Sequence, residues 1–148
     1  MHAPSLQLTD YVIPPVAAVL FMVAMSLLKE PTRRHANAIL AAGAASAYLS
    51  GGLGPWELIY PVVGGVVAYL GLRSHRFIGV AWLLHAGWDT VHHFYGHPIW
   101  PFMPTSSFGC LVFDSVIALW FLAGAPSVVA LAARAPGGVE PDRAPQPL

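Results

Sequence analysis

Charge is the scarcest property of this chain. Only 9% of its 148 residues are Asp, Glu, Lys or Arg, where a soluble domain carries about 25%. A soluble protein this small has too much surface for its volume to hide a composition that is 56% hydrophobic. Immersion in lipid removes that conflict, so an integral membrane protein is expected, with membrane lipids as its surroundings. Neither sign of charge is in excess. The 7 basic and 7 acidic residues give a formal net charge of zero, and no nucleic-acid partner is expected. With one cysteine, Cys110, an intrachain disulfide is excluded. The opening MHAPSLQLTD lacks a basic n-region, so the first apolar stretch reads as a retained helix rather than a cleaved signal peptide.

What the chain has in abundance is apolar sequence, in five blocks. They predict an all-α fold: a polytopic bundle of five transmembrane helices spanning residues 11–28, 36–54, 56–72, 77–96 and 108–133. Residues 1–10 form an extracytoplasmic segment, 11–134 the transmembrane domain, and the Pro-rich 135–148 a disordered cytoplasmic tail. Pro14 and Pro15 fall in the first turns of span one, where missing backbone donors do least harm. Pro61 is expected to bend span three, and Gly64 with Gly65 to admit a neighbour. Span two is only weakly hydrophobic. Its Ala42, Ser46 and Ser50 make a small-residue face suited to close packing, in the bundle or in a homo-oligomer.

The absence of basic residues from certain loops sets the direction. No Lys or Arg occurs in the N-terminal segment, in the turn before Trp56, or between His97 and Ser107. Lys29, Arg33 and Arg34 lie between spans one and two, Arg73 and Arg76 between three and four, and Arg134 after five. An excess of basic residues marks the cytoplasmic side, so the N-terminus is expected outside and the C-terminus inside a bacterial plasma membrane. Making span two a re-entrant or soluble element would put successive basic loops on opposite sides.

Against this background the stretch HAGWDTVHHFYGHP is out of character, with His85, His92, His93 and His97 beside Asp89. At 100° per residue, His85, Asp89 and His92 share one helical stripe and His93 lies at its edge. With a rise of about 1.5 Å per residue, His85 sits near the bilayer centre and Asp89 about 6 Å further outward. Asp114, with Cys110 one turn above it, and Glu57, with Tyr60 beside it, fall at matching levels of spans five and three. A lipid-facing carboxylate costs several kcal/mol, so these groups should converge inside the bundle on a polar cavity open to the outer side.

Four chemistries fit such a cluster. One divalent metal ion, Zn or Fe (Mn has similar donor needs), would take His85, Asp89, His92, His93 and Asp114 as candidate ligands. It would activate water or oxygen for a hydrolase or oxidoreductase acting on a lipid-like or small apolar substrate. No closed motif such as HExxH is present. Without metal, Asp89, His92, Asp114 and Glu57 are the candidate catalytic residues of an acid–base isomerase or cyclase. Intramembrane Asp and His also serve ion or solute transport. Finally, the carboxylates can pair with His as a purely structural network, leaving His92 and His93 in an aromatic belt with Trp88, Tyr95 and Trp100. The loop 97–107 carries Pro98, Pro101 and Pro104 among Ile99, Trp100, Phe102 and Met103. It reads as a lid over the cavity or as an interfacial anchor, with Ser106 or Ser107 capping span five.

The run from His85 through Trp120 resembles a family of small bacterial integral membrane proteins grouped as a domain of unknown function. That resemblance implies no activity or cofactor. The HH of DTVHH also resembles the HxxHH boxes of membrane di-iron desaturases. Here Asp89 stands at the position of the first histidine, and no second box exists. His35 and His75 lie in cytoplasmic loops and His2 is terminal, so one metal or a mixed His/Asp site fits better than a di-iron centre.

Overall fold

Helix α1 runs Leu8–Ser26. Its start is fixed by Asp10, whose Oδ2 accepts the Gln7 backbone N–H at 2.7 Å and whose negative charge sits at the positive end of the helix dipole. Because α1 begins at Leu8, Pro14 and Pro15 lie about two turns in, not in its first turn. The computed structural model describes residues 4–49 and 51–134. Within them follow α2 (Thr32–Ala44), α3 (Trp56–Gly71), α4 (His75–Tyr95), α5 (Ser106–Leu122) and α6 (Val128–Ala133), with no strand. The all-α expectation holds. The expected tail 135–148, and Ser50 of the small-residue face, lie outside the described residues.

Two of the predicted spans are divided differently by the chain. Span two is helical only to Ala44, after which Ser46, Ala47 and Leu49 donate to the third residue back rather than the fourth. Span five ends at Leu122. There Ala125 N–H reaches Trp120 O and Gly124 N–H reaches Phe121 O, with Gly124 at φ 89°. This is a Schellman stop with glycine at its left-handed position and Pro126 beyond it. The short α6 then returns to the end of α1, where Val128 N–H donates to Ser26 Oγ at 3.1 Å. Among the described residues only α1 is both long and apolar enough to cross a membrane; α3 and α5 are shorter apolar helices.

Touching residues give the topology. Between α4 and α5, His85 meets Asp114, Gly79 lies against Leu122 and His93 packs on Phe108, so the pair is antiparallel. α1 runs parallel to α5, through Asp10–Thr105, Tyr11–Phe108 and Phe21–Phe113. α2 and its terminal turns run parallel to α4 at a constant separation of 41 residues, through Ala44–His85 and Tyr48–Asp89. The five longer helices therefore alternate in direction.

The core is built of small side chains between large ones: Ala18, Ala38, Ala41, Ala68, Ala81 and Ala118 around Ile78, Trp82, Ile117 and Phe121. A Cβ on Gly64 would stand 2.8 Å from the Ala45 Cβ, so this glycine is what lets α2 approach α3. Gly65 has open space instead. The buried small face of α2 is Ala38, Ala41 and Ala45, while Ala42 and Ser46 are exposed. The expected face is thus turned by one residue, about 100°.

At the end opposite His92, Glu30 Oε1 accepts from Arg33 Nε at 2.7 Å and lies 3.0 Å from His75 Nε2. Arg34 Nε donates to Leu72 O at 3.0 Å. Burial alone would raise the Glu30 carboxyl, but the Arg33 hydrogen bond and His75 outweigh it and hold it below its ordinary value of 4.5. A depressed carboxylate stabilises the fold above its ordinary pKa and loses that contribution as pH falls through the lowered one. The Tm difference between wild type and Glu30→Gln should therefore be present at neutral pH and shrink below about pH 4.5. It should be small throughout, because the Glu30 side chain is 36% exposed. A difference that grew on acidification would contradict this.

Candidate functional site

The helical period of α4 turns His85, Asp89 and His92 toward the bundle, and all three are buried, Asp89 completely. His85 is held at both ring nitrogens. Its Nε2 lies 2.8 Å from the Ala44 carbonyl oxygen, which only accepts, so Nε2 must carry a proton. Its Nδ1 lies 2.6 Å from Asp114 Oδ2 and 3.4 Å from Asp89 Oδ2. The 2.6 Å contact needs a proton between the two atoms, whether written as imidazolium with carboxylate or as imidazole with carboxylic acid. One histidine thus stands between two carboxylates and shares a proton with one of them.

Asp89 is positioned from the far side by Tyr48, whose hydroxyl donates to Oδ1 at 2.7 Å. That hydroxyl has one proton, so its 2.9 Å contact with Ser107 Oγ must be received from the serine. Among the described residues Asp89 Oδ2 has no hydrogen bond beyond the long approach to His85. Ser107, Cys110 and Asp114 follow one another at helical spacing along α5. Ser107 therefore serves the network rather than the helix start: the residue before α5 is Thr105, and no side chain caps it. Ser106 is also diverted, accepting the Trp100 N–H at 3.0 Å to close the loop.

A second cluster lies one turn outward. The His92 ring stacks on Tyr48 with centroids 3.8 Å apart, and its Nε2 is 3.6 Å from Glu57 Oε1. Among the described residues neither His92 nitrogen finds a hydrogen-bond partner, nor does Glu57 Oε2, although both residues are buried. Glu57 Oε1 accepts the Leu53 N–H at 2.9 Å. Gly51 and Gly96 both press on the Nδ1–Cε1 edge of the His92 ring, and His97 N–H donates to Gly51 O at 2.7 Å, clasping the loop to the turns that follow α2. The Trp88 expected in an outer belt instead stacks on Tyr60 at 4.8 Å with its edge toward His92.

Of the anticipated metal ligands, only His85, Asp89 and Asp114 gather, with their donor atoms all within 4.8 Å of one another. This buried group can hold a metal ion by donor type and spacing. His92 stays with Glu57, and His93 turns away to pack on Phe108 at 5.6 Å because it lies at the edge of the stripe. The clefts nearest this group among the described residues stop short of it. A cleft of about 290 Å³ ends on Tyr48 and His97, and another of about 320 Å³ ends on His92 and His93. His85, Asp89 and Asp114 line neither. Below them, Ile78, Trp82, Ile117 and Phe121 close the way to the basic end.

Tyr48, Ser107, the Ala44 carbonyl and the two glycines were not anticipated from sequence. Tyr48 carried one usable signal, as the single large polar side chain in a stretch otherwise made of small and aliphatic residues.

The chain belongs to the family described as a family of unknown function, DUF6010, whose model matches residues 9–127. That range takes in α1 from its second residue, all of α2 to α5, and every residue of both clusters. No curated protein and no solved structure matches the chain.

Proposed function

We propose that this member of the DUF6010 family is a multi-pass membrane protein whose His85–Asp114–Asp89 group is a metal-free acid–base centre. It would move a proton on a lipid-like or small apolar substrate that arrives from the outer side, the chemistry of an isomerase or cyclase. The observation that carries this reading is the 2.6 Å His85–Asp114 contact, made while Nε2 is occupied by Ala44 O. Two atoms 2.6 Å apart share a proton, and they would have to move apart to serve as ligands of one ion at metal–ligand distances of about 2.0–2.2 Å. Asp89, with Oδ1 held by Tyr48 and Oδ2 free, is the group placed to take a proton; the His85–Asp114 pair is the group placed to hold one. The closed apolar layer beneath them argues against a transport path.

Lipid surroundings are supported by where the large apolar side chains point. Val12, Ile13, Val16 and Leu20 on α1, and Leu58, Val62 and Val66 on α3, are all at least half exposed. A patch of this size on a soluble monomer would drive association. All described Lys and Arg side chains lie at or beyond the ends of helices on the side away from His92, which supports five crossings with an outer N-terminus. In a Cys110→Ala background, a cysteine at Phe102 should react with an impermeant thiol reagent in intact cells, and one at Arg73 only after lysis. The reverse pattern would overturn the orientation.

The acid–base reading is tested by infrared titration of the protein in lipid nanodiscs, together with elemental analysis. A pH-dependent carboxyl band lost in Asp114→Asn, with no stoichiometric metal, is expected. A second reading, a divalent metal centre, rests on the three donors lying within 4.8 Å. Stoichiometric Zn or Fe that disappears in both Asp89→Ala and His85→Ala would establish it and overturn the first.

A further inference from the structure

At the outer end of the molecule, between α1 and α5, two clefts meet. The larger one, about 520 Å³, is lined by Ile13, Pro14, Ala17 and Phe113 and by Trp100 and Met103 of the 97–107 loop. The outer one, about 310 Å³, is walled by Ser5, Gln7, Pro104 and others. Thr9, Asp10 and Thr105 belong to both. Each volume falls within the roughly 300–1,000 Å³ usual for small-molecule sites. The order along the pair is polar, then carboxylate, then apolar, which is the order of groups along an amphiphile.

Asp10 stands at the junction. Its two oxygens each accept one hydrogen bond, from Gln7 N–H at 2.7 Å and from Thr105 Oγ1 at 2.9 Å. These orient the carboxylate without neutralising it. Among the described residues no Lys, Arg or His forms an ion pair with Asp10, and none of the residues lining either cleft is basic. A carboxylate at the mouth of an apolar slot favours a cation there, since an anionic head would meet repulsion where local dielectric is low.

The inner wall of the slot includes Cys110. That residue lies between Ser107 and Asp114 on the α5 stripe that serves the acid–base centre, so the slot reaches this stripe. Trp100 and Met103 of the 97–107 loop line this slot, while His97, Ile99 and Pro101 line the cleft at Tyr48.

We propose that the α1–α5 slot binds a single-chain lipid with a cationic amine head, its chain against Ile13, Ala17 and Phe113 and its ammonium at Asp10. As the substrate class of the centre, this rests on the acid–base reading above; as a binding site it stands on the slot alone. The test uses two diazirine-bearing probes in nanodiscs: a lysophosphatidylethanolamine and a lysophosphatidylglycerol with the same chain. Crosslinks should concentrate on α1 and α5 peptides around Ala17 and Phe113, and the amine probe should label at least about tenfold more (a difference of about 1.4 kcal/mol). Asp10→Asn should remove the preference between heads while chain crosslinking persists. Ala17→Phe, which fills the slot, should abolish labelling there.

Equal labelling by both heads in wild type would overturn the amine assignment. Labelling unchanged in Ala17→Phe, or spread equally over the exposed face of α3 at Val62 and Val66, would overturn the site. The infrared band of Asp114 reads the centre independently, so failure of the slot and failure of the acid–base reading are told apart.

Discussion

Asp114→Ala is expected to lower stability by about 3–5 kcal/mol, the cost of removing one member of a buried charged or proton-sharing pair. Asp114 is 3% exposed, and its Oδ2 is the nearest partner of His85 Nδ1. Without it, that nitrogen keeps only the 3.4 Å approach to Asp89, while Nε2 remains tied to Ala44 O. The alanine therefore leaves both a cavity and an unsatisfied ring. Asp114→Asn keeps a polar partner of the same shape and should cost less, about 1–3 kcal/mol. The two-residue change His85→Ala with Asp114→Ala should cost less than the sum of its parts, because each single change strands the other group. Unfolding in mild detergent, followed by tryptophan fluorescence, compares wild type with these three variants and with His85→Ala. Strict additivity would mean that the two side chains do not act as a pair.

The second large effect is expected where no side chain exists to be removed. A Cβ on Gly51 would stand 2.8 Å from His92 Nδ1 and 3.1 Å from Glu57 Oε1, with His92 Cε1 nearer still. One on Gly96 would meet His92 Nδ1 and stand 3.0 Å from Gly51 O. His92 is buried, stacked on Tyr48 and in close contact with these two glycines. Gly51→Ala and Gly96→Ala should each cost about 1–3 kcal/mol through overpacking. The distinguishing result is rescue: Gly51→Ala should be markedly less harmful in a His92→Ala background. If the cost is the same in both, the strain lies in the backbone and not against the ring.

Several features were readable in advance because they depend on local periodicity. The all-α class and the order of the helices follow from apolar blocks long enough to form them. The inward stripe of His85, Asp89 and His92 follows from the 3.6-residue repeat, which puts residues four and three apart on one face. Its pairing with Asp114 was expected from the cost of burying a carboxylate alone, and α5 delivers that pairing. Local rules also had the information to end α5 at Leu122, since Gly124 and Pro126 are stop signals. The apolar composition of Val128–Ala133 masked them, because composition continues through a turn whereas backbone geometry does not.

Rotation about a helix axis was harder to read. Ala42 and Ala41 are equally small, so only the shape of α3 decides which one is buried, and Gly64 opposite Ala45 sets that choice. Likewise His93 and His92 are identical as chemistry. A turn of 100° sends one to Glu57 and the other to Phe108.

What the sequence determined by itself is the helical class, the sidedness of its charge and the stripe of ionisable groups on α4. Each of these is a property of neighbours along the chain. Only the tertiary structure decided that His85 shares its proton with Asp114 while Ala44 O holds its other nitrogen, and that Tyr48 and Ser107 join Asp89. Those contacts span 29, 41, 41 and 59 residues. No periodicity links residues so far apart; the close approach of α2, α4 and α5, permitted by alanine and glycine between them, is what brings their polar atoms within hydrogen-bonding reach.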